Sequence, residues 1–195
     1  PNFNTFPTRR NNGNGRRRRP RYSMAPTNAP EISPVAVYEF FEAIEAHDAA
    51  KVRKMVQENR LLTQVRNKEE YYRYDSGVEL DAYRCLGAYI GAVTGLQLAV
   101  LLGNEEMALD LIDATFQSDL ELTFGLQNTT LHLASFLEET EVVRALIERG
   151  INTSLKNNKG YVACDLTTNP DILEIFKELV KTQRESSQLN DIPEE

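Results

Sequence analysis

Cysteine and histidine are scarce, two of each in 195 residues, and that scarcity excludes whole classes of chemistry. Cys85 and Cys164 stand far apart with no CxxC between them, so a zinc site has too few ligands and no metal is expected. The pair reads as two buried thiols of a reducing compartment rather than as a disulfide. Long apolar runs are missing as well. The longest, around Leu98 to Leu102, falls well short of the roughly 18 to 20 residues that cross a bilayer. No apolar secretory stretch stands near the start, and no membrane partner is expected. The chain begins at Pro1 rather than Met, which fits a processed or truncated product. Catalytic signatures are also lacking: there is no GxGxxG, no Walker A loop, no HExxH and no GxSxG. The expectation is therefore no enzyme, no catalytic residue, no cofactor and no small-molecule substrate.

What is present begins with charge. The net charge of −7 hides an asymmetry, because the first 30 residues hold seven arginines and no acid. The rest of the chain therefore carries −14, a basic arm on an acidic body. Residues 1–33 are rich in Asn, Pro, Gly and Arg with little to bury, and are expected to be disordered. The cluster Arg16, Arg17, Arg18, Arg19 and Arg21 stays open to several readings. It fits a nuclear-localisation signal, an RNA-binding arm, part of an organelle-import region, or a plain solvated tail. The chain is accordingly expected in the cytoplasm, the nucleus or both, with organelle import left open. An acidic body repels phosphate, so any RNA contact falls to the arm.

From Ser33-Pro34, which reads as an N-cap and first helical position, the sequence runs helix after helix. Val37, Phe40, Phe41 and Ile44 recur at helical spacing, and Val52, Met55, Val56 and Leu62 continue after a break at His47-Asp48. No period-2 strand stands out. The segment TGLQLAVLLGNEEMALDLI at 94–112 repeats as TTLHLASFLEETEVVRALI at 129–147, and again as VACDLTTNPDILEIFKELV at 162–180. The offsets are 35 and 33. Leu98, Leu133 and Leu166 coincide, as do Leu111, Leu146 and Leu179. A period near 33 with two short helices per unit marks a stacked helical repeat.

These residues resemble the ankyrin repeat. Its Thr-Pro-Leu-His-x-Ala pattern is met by Thr129, Leu131, His132 and Ala134, with Thr130 in place of proline. Arg149-Gly150-Ile151-Asn152 resembles the family's helix end, and Asn157-Asn158-Lys159-Gly160-Tyr161 its turn tip. Gly150 suits a left-handed helix stop and Gly160 a turn of positive φ. Ala92 and Gln127 stand where Gly160 stands in the last unit, so those two turns are expected to be irregular. The resemblance implies an all-α solenoid of four repeats over 34–181, because neither helix of a unit can bury its apolar face alone. It also implies that His132 is structural, bonded within the turn network.

Between the first and second units about 22 residues are inserted, roughly 67–91. They hold five of the eight tyrosines. Tyr71, Tyr72 and Tyr74 are either anchors for a partner or side chains packed on their own solenoid. The resemblance implies that partners meet the exposed first-helix positions, Leu101, Leu102, Phe136 and Leu137, and the turn positions Ile90, Val93, Phe124 and Leu126. All of these are apolar where a bare solenoid carries polar residues, and an apolar patch of a few hundred Å² marks an interface. Either a partner with an apolar or helical segment fills it, or the N-terminal segment or the insertion covers it. Glu174, Lys177, Glu178 and Lys181 give the last unit the polar face a cap requires, and 182–195 reads as a flexible acidic tail. The sequence thus predicts a protein-binding module. The alternative is a structural subunit of a ribonucleoprotein whose arm contacts RNA.

Overall fold

A computed structural model describes residues 32–67 and 72–189; the arginine arm, Glu69, Glu70 and Tyr71 lie outside them. In chain order the elements are α1 (Pro34–Glu45), α2 (Ala49–Glu58), a 3-10 turn (Arg60–Gln64), β1 (Arg66–Asn67), α3 (Glu79–Cys85), β2 (Val93–Thr94), α4 (Gly95–Leu101), α5 (Glu105–Ala114), a 3-10 turn (Gln117–Asp119), α6 (Thr130–Phe136), α7 (Thr140–Glu148), a 3-10 turn (Ala163–Leu166) and α8 (Pro170–Leu189). First helices stack in the order α1, α4, α6 and the last 3-10 turn. Second helices stack α2, α5, α7, α8. The four helical pairs are the four units the repeat predicts, the last with its first helix tightened to 3-10 form.

Local chemistry sets each corner. Ser33 Oγ accepts from Ala36 N at 3.1 Å with Pro34 at the first helical position, as the sequence predicts. Between the two helices of a unit the chain turns through one left-handed residue: His47 (φ 55°), Gly103 (φ 67°) and Glu138 (φ 61°). Each turn is closed by a backbone bond to an alanine carbonyl, Asp48 N to Ala43 O, Asn104 N to Ala99 O and Glu139 N to Ala134 O, at 2.9 to 3.0 Å. Asp48 and Asn104 then cap the second helix through their side chains, accepting from Lys51 N and Met107 N. Glu139 occupies the same position and makes no such bond.

In the last three units the side chain three residues into the first helix closes a second bond. Gln97 Oε1 accepts from Thr94 N, His132 Nδ1 from Thr129 N and Asp165 Oδ2 from Val162 N, at 3.0 to 3.2 Å. Three different residues thus do one job. The other imidazole nitrogen of His132 donates to Tyr161 O at 3.1 Å. Burial pushes the His132 pKa down, against the pull of the bonds it makes to backbone carbonyls. The ring is therefore a neutral structural link to the next turn.

Arginines tie the repeats together. The C-terminus of α5 presents the carbonyls of Ile112, Ala114 and Thr115. Arg60, from the unit before, donates to Ala114 O and Thr115 O with its guanidinium 4.1 Å from the centre of the Phe116 ring. Arg149, from the unit after, donates to Ile112 O and Thr115 O. Cations at the negative end of a helix satisfy orphan carbonyls and the dipole together.

Three expectations need correction. Short strands do occur: β1 pairs antiparallel with β2, Arg66 opposite Thr94 and Asn67 opposite Val93. The insertion leaves and re-enters through adjacent strands, so it lengthens a turn without parting the stack. Leu62 is buried but not on α2, which stops at Glu58; Asn59 accepts from Leu61 N and starts the 3-10 turn instead. Residues 182–189, read as tail, continue α8 to Leu189, because no Pro or Gly interrupts them. The turn expected to be irregular at Gln127 keeps its form: Phe124 and Asn128 pair, with Gly125 (φ 50°) and Gln127 (φ 62°) both left-handed. At Ala92 the neighbouring Gly91 (φ 72°) takes the positive angle. Cys85 and Cys164 are unbonded and only half-buried.

Candidate functional site

The insertion decides which of the expected contact residues remain accessible. After β1 it passes Tyr72 and Tyr74, forms α3, and runs back across the turns of the third and fourth units. Asn128, fully buried, donates from Nδ2 to Leu86 O at 2.8 Å. Asn157, also buried, donates from Nδ2 to Cys85 O and to Asn128 Oδ1, both at 2.9 Å. Two asparagines therefore hold the C-terminal end of α3 against two successive turns. Close packing completes the seam: a side chain at Gly125 would lie 2.5 Å from Tyr89 O, and one at Gly87 would meet Leu126.

This seam corrects five of the contact residues expected from sequence. Ile90, Val93 and Phe124 are buried in the core, so they offer no surface to a partner. Tyr72 and Tyr74 are buried too. Tyr72 OH donates to Glu45 Oε1 at 2.8 Å and accepts from Asn67 Nδ2 at 2.6 Å. Tyr74 packs edge-on against Tyr83 with centroids 6.5 Å apart, and burial raises its pKa. They are tyrosines packed on their own solenoid, one of the two readings the sequence left open. Tyr71 and the arginines Arg16, Arg17, Arg18, Arg19 and Arg21 lie outside the described residues. Leu126 is half-buried beneath Gly87.

The other four contact residues stay accessible. Leu101, Phe136 and Leu137 are half-buried and Leu102 is 38% exposed. They occupy equivalent positions at the ends of α4 and α6, one repeat apart, and those helices pack side by side. In the first unit the same positions hold Glu45 and Ala46, and in the fourth Asn169 and Pro170. The apolar strip is confined to the two middle units. A cleft of about 420 Å³ on the second-helix side, between α2 and α5, is lined by Val52, Val56 and Leu111. Its Arg53 is already paired with Glu106 and Asp110.

Comparison with known proteins bears on this geometry. A family model described as "Ankyrin repeat" matches residues 127–158, the unit built on Thr129, His132 and the Glu138 corner. The fold is an ankyrin-repeat solenoid. Among solved structures it is similar to a chain in the crystal structure of the yeast ribosomal protein Rps3 in complex with its chaperone Yar1. The TM-score is 0.54 at 16% identity, covering 85% of this chain and 100% of that one. At that identity the likeness concerns the ankyrin fold. No curated protein matches the sequence. No helix among the described residues is long and apolar enough to cross a membrane.

From sequence Glu139 reads only as one of a pair of carboxylates at a helix start, complementing the helix dipole. It follows the left-handed Glu138, is partly buried, and its Oε2 has no hydrogen-bond partner among the described residues. Burial, helped by Glu105 across the repeat boundary, raises its pKa to about 7. The signal that finds it is positional: Asp48 and Asn104 cap their helices there, whereas a glutamate is one methylene too long. The neutral form fits the fold and the charged form does not. Its contribution is therefore complete below the unfolded pKa near 4.5 and is lost as pH rises through about 7. The ideal figure of roughly 3 kcal/mol falls to about 1–2 kcal/mol because solvent reaches part of the group. Urea unfolding at pH 5 and pH 8 should show the wild type losing that much more than Glu139→Gln; parallel pH profiles would refute the assignment.

Proposed function

We propose that this chain is a non-catalytic protein-binding module, an adaptor or assembly chaperone. It holds a segment of another protein against Leu101, Leu102, Phe136 and Leu137. The observation that carries this reading is selective exposure. Ile90, Val93 and Phe124 are buried, whereas the helix-end strip stays open. An apolar strip that a protein's own insertion passes by is the kind of surface a partner covers. The ankyrin fold shared with a chain from a chaperone–client complex is in keeping with this, and so is an acidic body suited to a basic client.

The test is affinity purification from the native source with mass spectrometry. The full chain, the chain lacking residues 1–30, and Leu101→Glu/Phe136→Glu serve as baits. Each glutamate places a charge in a desolvated contact at about 2 kcal/mol or more, so each single variant should weaken binding about thirtyfold and the double variant several hundredfold. The same protein should be lost with the double variant and kept without the arm. Retention by the double variant refutes the strip. The ribonucleoprotein reading draws on the arginine cluster at 16–21. It predicts ribonucleoprotein components that vanish with the arm, through binding that falls steeply with salt.

A further inference from the structure

Among the described residues α1 ends the stack of first helices. It packs on α4 through Phe40 and Ile44, whose side chains lie against Gly95. Half a turn around the helix, at 3.6 residues per turn, Val35, Tyr38 and Glu42 face the other way. Val35 is 64% exposed and Tyr38 is 68% exposed. The end unit of a stacked repeat is expected to show a polar face, and the last unit does so, since α8 exposes Glu174, Lys177, Glu178 and Lys181. The first unit shows two large apolar side chains instead. Beside them a groove of about 250 Å³ runs between α1 and Asn67, lined by Val37, Tyr38, Phe41 and Glu42. Phe41 is buried and Val37 half-buried, so the groove has an apolar floor.

The charge of this face is one-sided. Glu39, Glu42 and Glu45 are exposed, and α1 holds no base. Its first turn, where the helix dipole favours acids, has none; its last turn, where the dipole favours cations, carries Glu42 and Glu45. Glu45 accepts from the Tyr72 hydroxyl. Glu39 and Glu42 take part in no ion pair among the described residues. The face is thus apolar toward its start and acidic toward its end. Such carboxylates repel nucleic acid and anionic lipid, and a second copy of the same face would bring like charges and no base. An occupant with both apolar and basic side chains complements it.

We propose that the outer face of α1 docks a basic amphipathic helix of a partner protein, in the place where a preceding repeat would stack. Apolar side chains of that helix cover Val35 and Tyr38 and enter the groove over Val37 and Phe41. Lysine or arginine at the edge of its apolar stripe reaches Glu39 and Glu42. A helix suits the site because α4 covers the opposite side of α1 in the same manner, side chains of one helix between those of the other. Burial of the apolar pair supplies affinity, and the charges supply orientation and speed of encounter. The surface lies on a different helix from Leu102 and Phe136 and does not depend on the strip reading.

The experiment is selection of phage-displayed random peptides of about 16 residues, some four helical turns, on the full chain. Fluorescence anisotropy then gives the affinity of the enriched peptides for the wild type, Val35→Lys/Tyr38→Lys, Glu39→Gln/Glu42→Gln and Leu101→Glu/Phe136→Glu. Val35 and Tyr38 are exposed, so their replacement leaves the core intact, and an unchanged thermal midpoint checks this. The wild type should enrich peptides with apolar residues at i, i+4 flanked by Lys or Arg. Val35→Lys/Tyr38→Lys should bind them roughly tenfold or more weakly, Glu39→Gln/Glu42→Gln about tenfold more weakly, and Leu101→Glu/Phe136→Glu as tightly as the wild type. No enrichment, enrichment of acidic or uncharged peptides, or full affinity of Val35→Lys/Tyr38→Lys overturns the α1 site. Loss confined to Leu101→Glu/Phe136→Glu overturns it and supports the strip. A dimer of the full chain in sedimentation that Val35→Lys/Tyr38→Lys dissociates makes a second copy the occupant and overturns the partner. Peptide binding that appears only after residues 1–30 are removed overturns it as well.

Discussion

Asn128→Ala is expected to lower the unfolding free energy by about 2–4 kcal/mol and to free the insertion from the turns it covers. The wild-type amide is fully buried; its Nδ2 donates to Leu86 O while its Oδ1 accepts from Asn157 Nδ2. Alanine leaves a buried carbonyl and a buried amide donor without that partner. Asn128→Asp has nearly the same shape but turns an acceptor toward Leu86 O, so it should cost at least as much. Asn157 also accepts from Lys159 N and Tyr161 N through Oδ1, so its loss loosens the last turn as well. The two alanine substitutions share one bond and their effects should sum to less than additive. Urea unfolding gives the energies, and amide exchange over residues 79–90 reports the release. Wild-type protection of that segment in Asn128→Ala would sink the account.

Gly95→Ala is the second large effect, at about 1–3 kcal/mol destabilising, although alanine favours a helix. Gly95 opens α4 and lies against α1. A Cβ there would stand 2.6 and 2.7 Å from Cε1 and Cζ of Phe40 and 3.0 Å from Cδ1 of Ile44. Both neighbours are fully buried, and Phe40 is wedged edge-on against Phe41 at 5.4 Å. The ring has no room to yield without moving α1. In a Phe40→Leu background the facing side chain is shorter and the penalty should shrink toward zero. An equal penalty in both backgrounds, read from thermal or urea unfolding, would show that the clash is not the cause.

The repeat framework was legible because its signals are local and periodic. Leu98, Leu133 and Leu166 fall on one register, and His47, Gly103 and Glu138 mark one corner three times. Ser33, Asp48 and Asn104 announce helix starts by side-chain chemistry alone. The role of Gly95 was not legible: it stands where the family has proline and the next unit has Thr130, and only the Phe40 ring opposite explains it. The accessible site was legible by half. Alignment named eight apolar strip and turn positions but gave no means of telling Phe124, which is buried, from Leu102, which stays open. The tyrosines misled in the same way. Tyr72 and Tyr74 have the composition of an interface, and they are one, made with their own chain.

By itself, then, the sequence determined the repeat, its period, its caps and the acidic body, since each follows from residues a few positions apart or from simple sums of charge. The tertiary structure alone decided where the insertion lies and which apolar residues remain accessible. It also decided that Glu139 keeps an unmet carboxylate beside Glu105. Those facts depend on contacts such as Asn128 with Leu86 and Asn157 with Cys85, 42 and 72 residues apart. No periodic pattern encodes a single hydrogen bond across that distance. It forms only once stacking of the repeats has fixed both ends in space.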